Sequence, residues 1–203
     1  STFGRRSIRI SGGKMSAIIR LPDLSKNTRI SVVGLGYVGL PLAVEFGKQF
    51  ATTGFDIAQD RIQELRSGKD TTLEVQSEEL IHTHQLSFTS NHSDLSDSDV
   101  FIVTVPTPID GEKRPDLSAL ESASGIVGTV IKPGNVVIFE STVYPGTTEE
   151  ICLPIIEKVS RLKLNVSFFA GYSPERVNPG DKSHRLTDIV KVTSGSSPEA
   201  RDF

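Results

Sequence analysis

One cysteine among 203 residues leaves no disulfide framework to build, and no Cys/His cluster has the spacing of a zinc site, so no metal is expected. Neither sign of charge dominates. With 22 basic and 25 acidic side chains the formal net charge is -3, a balance that argues against a protein built to hold a nucleic acid backbone. No uninterrupted apolar run approaches the roughly 18 to 20 residues that a membrane helix needs. These absences point to a reduced, cytoplasmic protein with neither nucleic acid nor membrane as partner. What is present is ordinary for a globular chain. Hydrophobic residues make up 36%, 17 glycines add to them, and the length suggests one or two domains with a real core.

The first 28 residues differ from the rest. Ser1 to Lys14 (STFGRRSIRISGGK) carries Arg5, Arg6, Arg9 and Lys14 and no acid. Removing those four from the 22 basic residues leaves 18 against 25 acidic, a formal charge of -7. A signal peptide needs an apolar stretch after its basic start, and Ile8 and Ile10 do not make one. The segment reads as a vector-derived leader or a loose tail, with a nucleic-acid arm as the minor alternative, and Met15 as a plausible start. Residues 1–28 are therefore set apart as leader or tail, and 29–203 as the folded domain.

From Arg29 onward, strand-like and helical stretches alternate. Strands are expected at Arg29–Val33, Thr52–Phe55, Leu86–Thr89, Val100–Val105, Asn135–Phe139, Val166–Ala170 and Ile189–Thr193. Helical spacing runs over Val38–Phe50, Arg61–Arg66, Leu117–Val130 and Thr147–Val159. VFIVTV at Val100–Val105 is a continuous apolar run of the kind covered on both faces. Connections too long for hairpins predict an α/β fold: a doubly wound, mostly parallel, Rossmann-like sheet with helices on both faces.

Gly34-Leu35-Gly36-Tyr37-Val38-Gly39 follows the first strand and opens the first helix. Gly34 permits the tight turn, Gly36 lets a pyrophosphate approach the backbone, and Gly39 allows helix and strand to pack closely. The phosphates would lie on unpaired amides at the helix start, where the dipole favours negative charge. Asp56, 22 residues after Gly34 and at the end of the second strand, is placed to accept from an adenosine ribose. A carboxylate there repels a 2′-phosphate, which selects NAD over NADP. Arg61 stands either over the adenine face or on the surface as an ordinary arginine.

Ligands of such sheets bind at the carboxyl edge of the strands. Three loops there hold unusual residues. Val105-Pro106-Thr107-Pro108 stiffens its exit and presents the Thr107 hydroxyl. Glu140-Ser141-Thr142-Val143-Tyr144-Pro145-Gly146 follows the next strand, although Ser141, Thr142 and Thr148 could equally cap the helix beginning near Thr147. Tyr172-Ser173-Pro174-Glu175-Arg176 sets an acid beside a base, either a surface pair or a base and an anion clamp.

Taken in order, GLGYVGLPLAVEFGK (34–48), GFD (54–56), VPTPID (105–110), PDL (115–117), ESTVYPGTTEE (140–150) and GYSPERVNPGDKSHRL (171–186) carry a resemblance. The chain from about Arg29 to Gly195 resembles the nucleotide-binding half of the UDP-glucose/GDP-mannose dehydrogenase family. Within it, the chain looks most like the bacterial UDP-N-acetylhexosamine 6-dehydrogenases of surface polysaccharide biosynthesis. The resemblance implies an NAD-dependent, four-electron oxidation of the sugar C6 alcohol to a carboxylate. In the family the second oxidation passes through a thioester on a cysteine, which holds the aldehyde in place. By position, Tyr37 and Val38 would contact the pyrophosphate, Asp56 the ribose and Arg61 the adenosine end. Thr107 and Thr142 would border the nicotinamide, Thr142 also holding a catalytic water. Glu175 would orient or activate water for thioester hydrolysis, with Arg176 beside it in the substrate loop.

UDP-glucose enzymes commonly carry Phe after that glutamate and a second acid four residues beyond it. Arg176 and Pro179 stand there instead, which favours the N-acetylhexosamine branch. The family's catalytic cysteine and its UDP-binding domain lie beyond the 203 residues, and Cys152, among Ile151, Leu153, Ile155 and Ile156, reads as a buried thiol. This segment alone is therefore expected to be inactive, and the full-length enzyme to be a homodimer. His82, His84, His92 and His184 read as surface or satisfied residues. The alternatives are another NAD-dependent dehydrogenase (UDP-glucose 6-dehydrogenase first, then hydroxyacyl-CoA or 6-phosphogluconate types) and a non-catalytic NAD-sensing module.

Overall fold

The computed structural model describes residues 19–109, 111–112, 115–174 and 192–203. Its elements follow one another as strand and helix: Arg29–Val33 (β1), Gly39–Gly47 (α1), Ala51–Phe55 (β2), Gln59–Arg66 (α2), Ser77–His82 (α3), Leu86–Thr89 (β3) and Val100–Val103 (β4). Then come Ser118–Val130 (α4), Val136–Phe139 (β5), Leu153–Ser160 (α5), Phe169–Tyr172 (β6), Ser194–Gly195 (β7) and Pro198–Asp202 (α6). Among the described residues the strands form a single sheet in the order β3-β2-β1-β4-β5-β6-β7. All neighbours pair in parallel except the last, β6 with β7. This is the doubly wound order, and it reverses between β1 and β4, where the crevice outside the strand ends receives a ligand.

Alternation along the strands divides the apolar side chains between two cores. Val33, Phe101, Val103, Val137 and Phe139 pack with Leu120, Val127 and Ile156 of α4 and α5. Ile30, Val32, Val100 and Ile102 pack on the opposite face with Leu40, Val44, Ile62 and Leu65 of α1 and α2. Strand β4 is buried at every position, as its unbroken apolar run requires.

Several boundaries differ from expectation. The sixth strand lies at Phe169–Tyr172 rather than Val166–Ala170, because residues 163–168 turn on themselves. The Ser167 and Val166 amides both donate to the Lys163 carbonyl, at 2.7 and 3.2 Å, and Asn165 takes a left-handed φ of 57°. The helix expected over Thr147–Val159 begins with a π-helical turn at Thr148–Cys152 before α5. Helix α1 stops at Gly47, short of Phe50. Most of the strand expected at Ile189–Thr193 lies outside the described residues, and the strand observed there is Ser194–Gly195. Helices α3 and α6 have no counterpart in the sequence reading.

Candidate dinucleotide site

The turn between β1 and α1 is built on three glycines with three different surroundings. Gly34 has a φ of +98°, which a side chain rarely tolerates, and its amide donates to the Phe55 carbonyl at 2.8 Å, tying the turn to β2. A Cβ on Gly39 would lie 1.8 Å from the Gly34 carbonyl oxygen and 2.4 Å from Thr104 Oγ1. The helix thus rests directly on the turn. Around Gly36 a Cβ would meet nothing within 4 Å, so this face is open. The Gly36, Tyr37 and Val38 amides have no hydrogen-bond partner among the described residues, and α1 has no side-chain cap and no acid in its first turn. Unpaired donors at a helix start beside open space are what a pyrophosphate fits. Val38 is buried, so it can offer a phosphate only its backbone, while Tyr37 is 40% exposed.

Leu35 is held at both ends of its residue. Asp56 Oδ2 accepts from the Leu35 amide at 2.9 Å, and Arg61 Nε donates to the Leu35 carbonyl at 3.1 Å. The other Asp56 oxygen accepts from the Ala58 amide at 2.9 Å. A carboxylate offers about four acceptor positions, so two remain for a ligand. Arg61 is no ordinary surface arginine: its side chain is 12% exposed and reaches Glu64 Oε1 at 2.9 Å and Asp70 Oδ1 at 2.8 Å. Burial works against charge on Asp70, yet hydrogen bonds from Thr72, the Val75 amide and Arg61 outweigh it and hold the carboxyl below its usual value.

At the neighbouring strand exits, hydroxyls clasp carbonyls of the adjacent loop. Thr104 Oγ1 donates towards Gly34 O at 2.7 Å and lies 3.1 Å from Val33 O. Ser141 Oγ donates to Val105 O at 2.6 Å, and Thr107 Oγ1 to Thr142 O at 2.5 Å. The two loops after β4 and β5 are thereby laced together. The Thr107 proton is committed, so a ligand would meet that hydroxyl as an acceptor. Capping by Ser141, Thr142 or Thr148 is not what happens: Ser141 binds Val105, and the π-helical turn at Thr148–Cys152 has no side-chain cap. The exposed Thr142 hydroxyl has no hydrogen-bond partner among the described residues. The Ser173 hydroxyl, at 1% exposure just past β6, is buried without a partner among the described residues. Glu175 and Arg176 lie outside the described residues, as does His184.

Cys152 lies in the core among α4 and α5 at 0% exposure, where burial pushes its thiol up to about 11. It is a packing residue. No cluster of potential metal ligands occurs among the described residues, and none of their helices is long and apolar enough to cross a membrane.

The sheet order, the glycine turn and the acid beyond β2 together define a dinucleotide-binding domain of the doubly wound class. Comparison narrows this. The NAD binding domain of the UDP-glucose/GDP-mannose dehydrogenase family matches residues 28–202, and the chain belongs to that family, with NAD as its cofactor. It is 63% identical over 178 residues to a UDP-N-acetyl-D-glucosamine 6-dehydrogenase of Pseudomonas aeruginosa, covering 88% of this chain and 42% of that protein. A namesake from Salmonella typhi is 53% identical over 175 residues, with 86% and 41% covered. The chain thus spans about two-fifths of the length of these curated relatives. Among solved structures, UDP-D-ManNAc dehydrogenase from Pyrococcus horikoshii superposes with a TM-score of 0.75 at 36% identity, over 86% of this chain and 43% of that one.

The residues missed by sequence reasoning are those that hold the site rather than line it. Thr104, Glu64 and Asp70 are ordinary polar residues in the sequence, and only the fold brings them to the glycine turn.

Proposed function

We propose that this chain is the cofactor half of an NAD-dependent UDP-N-acetylhexosamine 6-dehydrogenase, a cytoplasmic enzyme working as a homodimer. The observation that carries the NAD half is the open face at Gly36 above unpaired amides, next to a carboxylate with acceptor positions to spare. The sugar is carried by the relatives' own substrates. In this reading the amides of Gly36, Tyr37 and Val38 hold the pyrophosphate, and Asp56 takes the ribose hydroxyls. Arg61 stands behind Asp56 at the adenosine end.

NAD supplies the hydride acceptor. Thr107 and Thr142 border the nicotinamide side, and the unpartnered Thr142 hydroxyl is free to orient a water near the sugar C6. Glu175 activates water for the final hydrolysis, with Arg176 beside it. Overall, one primary alcohol and one water become a carboxylate, two NAD+ become two NADH, and three protons are released. The second oxidation needs a nucleophile to hold the aldehyde, and Cys152, buried in the core, is not it. In this reading that group is the cysteine that the family resemblance implies, in the length of the relatives that this chain does not span.

The natural full-length protein, supplied separately with UDP-N-acetylglucosamine, UDP-N-acetylgalactosamine and UDP-glucose, tests this by the NADH formed per sugar consumed. Two NADH per sugar from one of the N-acetylhexosamines is the expected result. One NADH per sugar, or turnover of UDP-glucose alone, contradicts it.

A further inference from the structure

The end of β2 carries two opposing signals. Asp56 is the acid that a dinucleotide domain sets against a bare ribose, whereas an arginine nearby is what such domains use to accept the 2′-phosphate of NADP. Arg61 lies five residues after Asp56 and touches the same residue of the glycine turn, Leu35. Left free, its guanidinium would stand beside any phosphate on the ribose.

It is not free. Glu64 and Asp70 grip its two terminal nitrogens at 2.9 and 2.8 Å. The acids are themselves fixed. The Asp70 side chain, 0% exposed, accepts from the Thr72 amide and hydroxyl at 3.0 and 2.6 Å and from the Glu74 and Val75 amides at 2.9 and 3.0 Å. Glu64 accepts from the Thr71 hydroxyl at 3.1 Å and from the Thr71 amide. Residues 70–75 thus form a loop whose donors hold two carboxylates against one guanidinium. With Asp56 on the same turn residue, three acids to one base leave this end of the site net negative for a phosphate dianion arriving at the ribose.

We propose that Glu64 and Asp70 are positioning residues for cofactor choice: by sequestering Arg61 they withhold it from a 2′-phosphate and keep the domain on NAD. The inference rests on the reading of Asp56 as the ribose partner. It differs from a merely structural role in its consequence. A loop brace, when weakened, lowers the melting temperature and loosens both cofactors alike. A sequestering pair, when neutralised, improves one cofactor and leaves the other.

The test is titration of NADH and NADPH into the chain, in the wild type and in Glu64→Gln/Asp70→Asn, each with a thermal melt. NADPH is expected to bind about tenfold tighter to the double variant, the size of one charge-assisted hydrogen bond gained. NADH should change much less, and adding Arg61→Gln should remove the gain. If the double variant does not fold, Glu64→Gln alone leaves the Asp70 donors in place and should give a smaller gain of the same kind. Unchanged NADPH affinity in a folded variant, or a gain that survives Arg61→Gln, overturns the proposal. A wild type that binds no NADH instead fails the underlying reading of the site, and the proposal falls with it.

Discussion

Gly39→Ala is expected to cost the domain about 3 kcal/mol or more, because the added methyl has nowhere to go. Its nearest atoms are backbone and a clasped hydroxyl: Gly34 O at 1.8 Å and Thr104 Oγ1 at 2.4 Å. Neither is the movable end of a side chain. Relief requires α1 to lift off β1, which opens the core around Leu40 and Val44 and breaks the Thr104 clasp on the turn. For a domain of this size that corresponds to a fall in melting temperature of about 6 to 12 °C. Gly36 supplies the contrast. A side chain there meets nothing and is solvent-exposed, so Gly36→Val should leave the melt within the roughly 0.5 kcal/mol usual for a surface substitution. It should nonetheless lose NADH binding at least tenfold, since the branched side chain takes the space of the pyrophosphate. Two glycines of one motif, three residues apart, thus separate stability from binding. Calorimetric melts and NADH titrations of both variants read this out; equal melts for the two would contradict the close-packing account.

Asp56→Ala has the second largest expected effect, and it falls on discrimination between cofactors. The carboxylate uses one oxygen on the Leu35 amide and the other on the Ala58 amide, leaving acceptor positions for ribose hydroxyls. A hydrogen bond to a charged group contributes about 1.5 to 3 kcal/mol, so NADH affinity should fall roughly tenfold to a hundredfold. NADPH, repelled by the same carboxylate, should fall less or improve. The ratio of the two dissociation constants is therefore expected to narrow by about tenfold or more. Parallel losses for both cofactors would mean that Asp56 acts only as a support for the turn. The amides of Leu35 and Ala58 lose their acceptor in the variant, so some loss of stability accompanies the change.

The parts of this protein legible in its sequence are those governed by local chemistry. A glycine turn between a β-branched run and a helix has few alternative readings, and the apolar run at Val100–Val105 reads as a strand covered on both faces, which the structure forms over Val100–Val103. The place of Asp56, just past the end of β2, was visible because its distance from the turn is set by one strand–helix–strand unit. The β6 boundary was not, because it depends on a turn in which the Val166, Ser167 and Phe168 amides choose the Lys163 carbonyl over a strand partner. The restraints on the site were equally hidden. Thr107 and Thr142 are 35 residues apart and meet only once β4 and β5 pair. Arg61 looked like either a surface residue or an adenine contact, and its two acids acquire meaning only when the loop through Asp70 folds back over α2.

The central claim is that the turn from Gly34 to Gly39 holds the pyrophosphate of NAD. A crystal structure of the chain with NADH tests it most directly, through the distances from the pyrophosphate oxygens to the backbone nitrogens of Gly36, Tyr37 and Val38. At least two of those nitrogens are expected within hydrogen-bonding range, roughly 2.7 to 3.2 Å, with the adenosine ribose on Asp56. A pyrophosphate seated elsewhere on the domain, with these amides still unpaired, would contradict the account.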